Sequence, residues 1–277
     1  KYESEYGQQD WRVAMKISEL LAKNKLIKFK TREEAIEIAI KTGFAYLTLG
    51  IVSAPLEGFV GVKIKRTRDN QEYLALKFAG PIRGAGGTAS SVCVILSDYV
   101  RTVMGLSRWD PSEKEILRYI AEVNDYHERV TNLQYRPSDE ELKFLLKNIP
   151  LEVDGEPTER IEVSNHKDLD RIETNRIRGG VALVLAEGIS QKAPKLWKRL
   201  EKWGSEMGLE WSFLGDFLKL KNEIHSKVNS SNKVSGEEIK LKPNNTFIMD
   251  LVAGRPIITN PMGCLLYTSD AADDANC

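Results

Sequence analysis

The chain has 277 residues, 42% hydrophobic and 29% charged, with 40 basic and 40 acidic side chains. That apolar content can build a sizeable core, the length suits one large or two ordinary domains, and no apolar run reaches the length of a membrane span. The composition is that of a soluble globular protein, which excludes collagen-like, disulfide-scaffold and membrane-embedded classes.

The opening KYESEYGQQDWRV lacks an initiator Met and the basic-then-apolar plan of a signal peptide, so it reads as a cut in a longer chain. At the other end, CLLYTSDAADDANC after Gly263 continues no earlier pattern and resembles a translated sequencing adapter, to be left out of fold reasoning. Asp270, Asp273 and Asp274 lie in it, so without it bases exceed acids by three. Cys93 is then the one remaining cysteine, a small buried hydrophobe in an apolar helix, which fits a reducing cytoplasm.

From Asp10 to Leu26, apolar residues at Trp11, Ala14, Ile17, Leu20 and Leu21 recur at helical spacing. Thr31 opens a second helix with Glu34 in capping-box position. After Pro55 the period changes to two: Val62 and Ile64 alternate with Lys63 and Lys65, then Leu74, Leu76 and Phe78 with Tyr73, Ala75 and Lys77. With turn residues Arg68-Asp69-Asn70-Gln71 between them, these runs predict a β-hairpin that feeds directly into a glycine-rich turn. Helices are expected from Thr88 to Met104, from an Asp110 cap to about Val130, and from a Ser138 cap to Lys147. A short extended piece, PLEVDG, follows. An apolar helix comes after Arg176-Ile177-Arg178-Gly179-Gly180, and another is expected to start at Pro194. The Ser-, Asn- and Lys-rich stretch from His225 to Asn245 reads as a linker, and TFIMDLV as a last strand.

The chemistry concentrates in Gly80–Ser91, GPIRGAGGTASS, a glycine-rich turn between the hairpin and a helix, where backbone N–H groups can hold phosphate. A Walker A loop is excluded, because Gly87 is followed by Thr88 and no lysine stands in place. A dinucleotide fold needs a parallel strand ending in an acid directly after the helix, and Gly105–Asp110 leads into another helix instead. Two readings stay open. In one, Arg83 with Gly84, Gly86 and Gly87 presents a guanidinium and backbone donors to nucleic-acid phosphate. Lys63 and Lys65, with Arg66 and Arg68, would extend that surface, and Arg176 and Arg178 would repeat the recipe. In the other, the glycines serve packing, the lysines are an ordinary solvated face, and pairs such as Arg176 with Glu173 satisfy each other. Asp168-Leu169-Asp170 is the one acidic pair of metal-binding form, but its polar setting suits a turn. His127, His166 and His225 have no ligand spacing with cysteine, so no zinc site is expected.

Several segments, in order, carry a further signal: SAPLEG (Ser53–Gly58), FAGPIRGAGGTA (Phe78–Ala89), LSDYVR, LQYRPSDEE, GEPTE (Gly155–Glu159), ETNRIRGG, AEGISQKAP and AGRPI. Together they resemble the N-terminal region of the large subunit of the archaeal D-family DNA polymerase. Gly84 stands where that family usually has serine, and the stretch from His225 to Asn245 looks specific to this chain. The resemblance implies a replicative DNA-directed DNA polymerase, partnered by DNA and by a small 3′–5′ exonuclease subunit. It implies Mg2+ at aspartates in a double-psi β-barrel downstream of the matched region, so no catalytic or metal-binding residue is expected here. The fold expected is α/β (α+β), helix-rich with a β-hairpin and short strands, without the barrel core. Its expected divisions are a helical segment 1–50, an α/β region 51–155, a helical region 156–224, a linker 225–245, the start of a further segment 246–263, and the adapter-like 264–277.

Overall fold

The computed structural model describes residues 1–48 and 54–234. Two compact units divide the chain, Lys1–Glu223 and Ile224–Cys277. Of the second, the described residues 224–234 are helical.

The first unit is helix-rich with one small sheet. A short α1 (Tyr2–Tyr6) precedes α2 (Trp11–Ala22), whose cap Asp10 accepts the Arg12 N–H at 2.8 Å. In α3 (Arg32–Leu47) the cap is Thr31, accepting from Glu34 N–H. After α4 (Ala54–Gly58), strands β1 (Phe59–Arg66) and β2 (Glu72–Phe78) form the expected antiparallel hairpin. Asn70, at φ 62°, makes its turn, and Thr67 N–H bonds the Gln71 carbonyl.

The long α5 (Ile82–Val103) forms the centre of the core, with Cys93, Val94, Ile95, Leu96 and Val100 fully buried. The LSDYVR motif lies here and is internal architecture. Asp98 accepts Arg101 Nε at 2.7 Å and Trp211 Nε1 at 2.9 Å, while Arg101 Nη1 donates to the Leu106 carbonyl. Burial raises the Cys93 thiol far above its ordinary pKa, as suits an inert packing residue. Next come α6 (Glu113–Arg129) and α7 (Asp139–Asn148), both opened by capping boxes, Ser112 with Glu115 and Ser138 with Glu141. Asp110 is therefore not the cap of α6. It accepts instead from Arg68 Nε at 2.8 Å and from Arg171 Nη1 at 2.5 Å.

Strand β3 (Glu152–Gly155) pairs parallel with β2, so the sheet order is β1-β2-β3 and β2 is central. A parallel strand thus does follow the glycine turn, but only after a crossover of three helices. The central position also overturns the reading of the hairpin as half solvated. Tyr73, Leu74, Ala75 and Leu76 are all fully buried, so both faces of β2 are covered.

From Gly179 the backbone stays helical to Trp203, as α8 (Gly179–Leu183), a π-helical segment Val184–Ser190, and α9 (Gln191–Trp203). Pro194 lies inside α9 instead of starting it. Having no N–H, Pro194 leaves the Ser190 carbonyl without its helical donor, and Lys221 Nζ bonds that oxygen at 3.3 Å. The wide π turns supply the slack for the proline. Finally α10 (Phe213–Val234) carries helix through the first ten residues of the expected linker. Its start buries Phe213, Leu214 and Phe217, and a helix so nucleated propagates through a polar stretch. Ser53, the remainder of that linker (235–245), the TFIMDLV strand, AGRPI and the adapter-like tail lie outside the described residues.

Candidate nucleic-acid interface

The residues singled out from the sequence separate into an exposed group and an internal one. Strand β2 ends at Phe78, and the chain turns tightly through Gly80-Pro81. Here Ile82, Arg83 and Gly84 N–H groups bond the carbonyls of Ala79, Gly80 and Pro81 at 3.0–3.1 Å. Those donors are consumed by the turn, so the Gly84 N–H is not available to an anion. At Gly86 the helix breaks, with φ 76° and ψ 155°, a conformation open in practice to glycine alone. The helix resumes at Gly87, with Ser90 and Ser91 hydroxyls donating back to the Gly87 carbonyl.

Gly86 and Gly87 have opposite reasons to be glycine. Around a Cβ on Gly86 there is nothing within 4 Å, whereas one on Gly87 would lie 2.0 Å from the Glu187 carbonyl oxygen. Gly87 is thus the seat on which α5 packs the π-helical segment. Arg83 and Gly84 are exposed beside the break. The Arg83 guanidinium reaches the Asn132 carbonyl at 3.2 Å and stands 3.9 Å from Glu187 Oε1, which itself accepts Gln134 N–H at 2.9 Å. GPIRGAGG, LQYRPS and AEGISQKAP, far apart in the chain, therefore meet around Glu187.

Two lysines join this surface, Lys192 within the last motif and Lys195 one residue beyond it, and sequence reasoning had not selected them. Lys195 Nζ lies 3.5 Å from Thr88 Oγ1, and Lys192 Cε would be 3.0 Å from a Cβ on Gly87. Their signal was a pair at i, i+3 on the helix after the second arginine-glycine turn. Neither has a carboxylate partner among the described residues.

The second turn has a different environment. Arg178 is fully buried, its guanidinium held by Glu122 Oε2 at 2.7 Å and by Asp154 Oδ1 at 2.7 Å. These carboxylates raise its pKa well above the ordinary arginine value despite the opposing effect of burial. Gly179 and Gly180 serve close approach, a Cβ on Gly180 meeting the Phe78 carbonyl carbon at 2.6 Å. Lys65, instead of standing in solvent, donates to Glu152 at 3.0 Å, Asp154 at 2.9 Å and the Arg171 carbonyl. Tyr73 and Tyr119 hydroxyls complete the Glu152 shell. Burial pushes the Glu152 carboxyl up, while Arg178 and Lys65 outweigh burial at Asp154 and bring it down to about 2.

Lys63 and Lys77 share Glu173, so Glu173 does not satisfy Arg176. Arg176 is exposed, and its guanidinium forms no ion pair among the described residues. Lys65 and Arg178 are thus corrected from surface candidates to internal ones, because the segment 169–178 and α6 close over that face of the sheet. Arg83, Gly84, Gly86 and Arg176 stay accessible.

No group of three or more His, Cys, Asp or Glu able to hold a metal occurs among the described residues. Asp168 and Asp170 are exposed on a turn, Asp168 at φ 56° and tied to Asn175 Nδ2 at 2.7 Å. This is the turn role expected of them. Among the described residues no helix is long and apolar enough to cross a membrane.

A family model described as "DNA polymerase II large subunit DP2, N-terminal" matches residues 2–220. Among curated relatives, the DNA polymerase II large subunit of Nanoarchaeum equitans is 45% identical over 94% of this chain and 23% of its own length. That of Pyrococcus horikoshii is 41% identical over 93% of this chain and 19% of its own, and that of Methanothermobacter thermautotrophicus 44% over 83% and 20%. The chain thus spans about a fifth of the length of the curated relatives it matches.

Proposed function

The chain belongs to the family of DNA polymerase II large subunit N-terminal regions, and from that premise we propose that it is an accessory region of a replicative DNA polymerase that contacts the DNA backbone. The full-length protein would carry the DNA-directed polymerase activity, with Mg2+ and a small exonuclease subunit as its other associates. The observation that supports DNA contact is the exposed Arg83 beside the Gly86 break, flanked by Lys192 and Lys195 on the first turns of α9. A planar guanidinium held by neutral oxygens and one distant carboxylate can exchange them for phosphate, which it grips as a fork. Such contacts position DNA and read no sequence.

The test is DNA affinity against salt for Arg83→Ala in the polymerase. The expected outcome is weaker binding to all sequences alike, with the salt slope reduced by about one. An unchanged slope rejects the contact and leaves the second reading, a structural module that engages the small subunit. That reading is favoured by the packing role of Gly87, Gly179 and Gly180.

A further inference from the structure

The loop joining α2 to α3 exposes apolar surface that the fold does not use. Its backbone is firmly set. Asn24, at φ 54°, accepts the Phe29 N–H on Oδ1 at 3.0 Å, and Lys25 N–H bonds the Leu20 carbonyl at 2.8 Å. Phe29 packs against the core and anchors the far side. Between these ties, Leu26 and Ile27 are 60% and 57% exposed, more than any other large hydrophobic side chain among the described residues. Single exposed aliphatics are ordinary, but an adjacent pair on a pre-formed tip calls for a partner.

The charge around that pair indicates which partner. From residue 20 to residue 32 the chain carries Lys23, Lys25, Lys28, Lys30 and Arg32 and no acid. Lys23 is paired with Glu19 and Arg32 with Glu72, while Lys25, Lys28 and Lys30 are exposed with no ion pair among the described residues. Lysine is depleted in the centres of protein–protein interfaces, whereas nucleic-acid interfaces are strongly basic. Small aliphatic wedges flanked by cations are a recurring way to enter a minor groove and part a base step.

We propose that the loop 23–30 is a second, separate DNA-binding element, with Leu26 and Ile27 entering the minor groove and Lys25, Lys28 and Lys30 on the phosphates beside it. This rests on the DNA reading above but on other residues. Arg32, at the base of the loop, donates to the Met104 carbonyl just past the end of α5, whereas Arg83 and Gly86 stand at its start. With a rise of 1.5 Å per residue, the two ends of α5 from Thr88 to Met104 are about 24 Å apart. Effects at the two places should therefore add independently.

The experiment measures binding of the protein to an A·T-rich duplex across a salt series, with 2-aminopurine in the duplex to report unstacking. For Leu26→Ser/Ile27→Ser the expected result is about tenfold or more weaker binding, an unchanged salt slope and loss of the unstacking signal. For Lys25→Ala/Lys28→Ala it is a slope smaller by about two. Because all four side chains are exposed, folding is not at risk, and matching circular dichroism and Tm check that. If Leu26→Ser/Ile27→Ser binds and unstacks the duplex like the parent, the wedge is overturned; a simultaneous loss of an acidic protein partner would then reassign the loop. If Arg83→Ala alters the slope and the loop variants do not, only the wedge fails. If the parent binds no DNA, the functional reading fails as well.

Discussion

The two arginine-glycine turns share a sequence recipe and differ in almost everything that follows from it. At Arg83-Gly84-Ala85-Gly86-Gly87 the arginine is exposed and its partners are neutral oxygens and a distant carboxylate. At Arg176-Ile177-Arg178-Gly179-Gly180, Arg178 has no exposed surface and is enclosed by two carboxylates. What separates them is the neighbouring strand. The second turn lies beside β3, whose Glu152 and Asp154 face inward and call for buried cations. The first meets the π-helical segment, whose groups there are backbone carbonyls and one carboxylate, Glu187. An arginine beside glycine is therefore left exposed where the nearest carboxylate is distant, and is drawn inside where two carboxylates grip it closely.

The sharpest way to break this comparison is Arg178→Met. Removing the guanidinium leaves Asp154 to Lys65 and Glu122 to the more distant Arg118, both in the core, and the expected loss of stability is about 3 kcal/mol. Arg178→Lys should recover little, since one ammonium cannot span two carboxylates that the guanidinium meets through separate nitrogens. Chemical denaturation of both variants checks this. Arg83→Met in the same assay should move stability by less than about 0.5 kcal/mol.

Acid unfolding sharpens the same contrast, because the second turn is tied to Asp154, whose carboxyl is held well below its ordinary range. Asp154 has its folded pKa lowered to about 2. Its contribution is therefore complete above its unfolded value near 4 and is lost as pH falls through about 2, about 2 kcal/mol in all. Asp154→Asn should flatten the stability profile between pH 4 and 2. Glu152 has the opposite sign: its folded pKa is raised, so protonation on acidification favours the native state. Glu152→Gln removes that gain and should steepen the acid fall. Denaturant midpoints measured across this pH range test both signs.

Much of the architecture was legible because its signals are local. Caps at Asp10, Thr31 and Ser138, the alternation in the hairpin and its turn all depend on residues within one or two turns of each other. The true start of α6 was also written locally, as Ser112 with Glu115 in capping-box spacing, and that pattern outranks Asp110 with Pro111. The burial of Lys65 was not legible. Its partners on β3 are 87 and 89 residues away, and two acids in a short strand give no apolar alternation to reveal a covered face. For the same reason Arg178 looked like a surface arginine. The accessible half of the candidate site could be read from the sequence, but Lys192 and Lys195 enter it only through packing across Gly87.

The smallest expected difference is the one between the two glycines of the first turn, and its kind is informative. Gly87→Ala sets a Cβ against a backbone carbonyl that cannot rotate away, so α5 and the π-helical segment must separate, at a cost of about 2–3 kcal/mol. Gly86→Ala meets no atom and costs only backbone strain, about 1–2 kcal/mol. The ordering by stability should invert when DNA binding is measured after correction for folding. A substitution at Gly86 alters the open surface beside Arg83, whereas one at Gly87 alters an internal contact. If Gly87→Ala weakened DNA binding in proportion to its loss of stability and Gly86→Ala left binding untouched, the break at Gly86 would be a device of chain geometry alone. Reduced affinity in Gly86→Ala at unchanged fold would instead assign the break to the DNA contact, because the open side of Gly86 has no packing partner to serve.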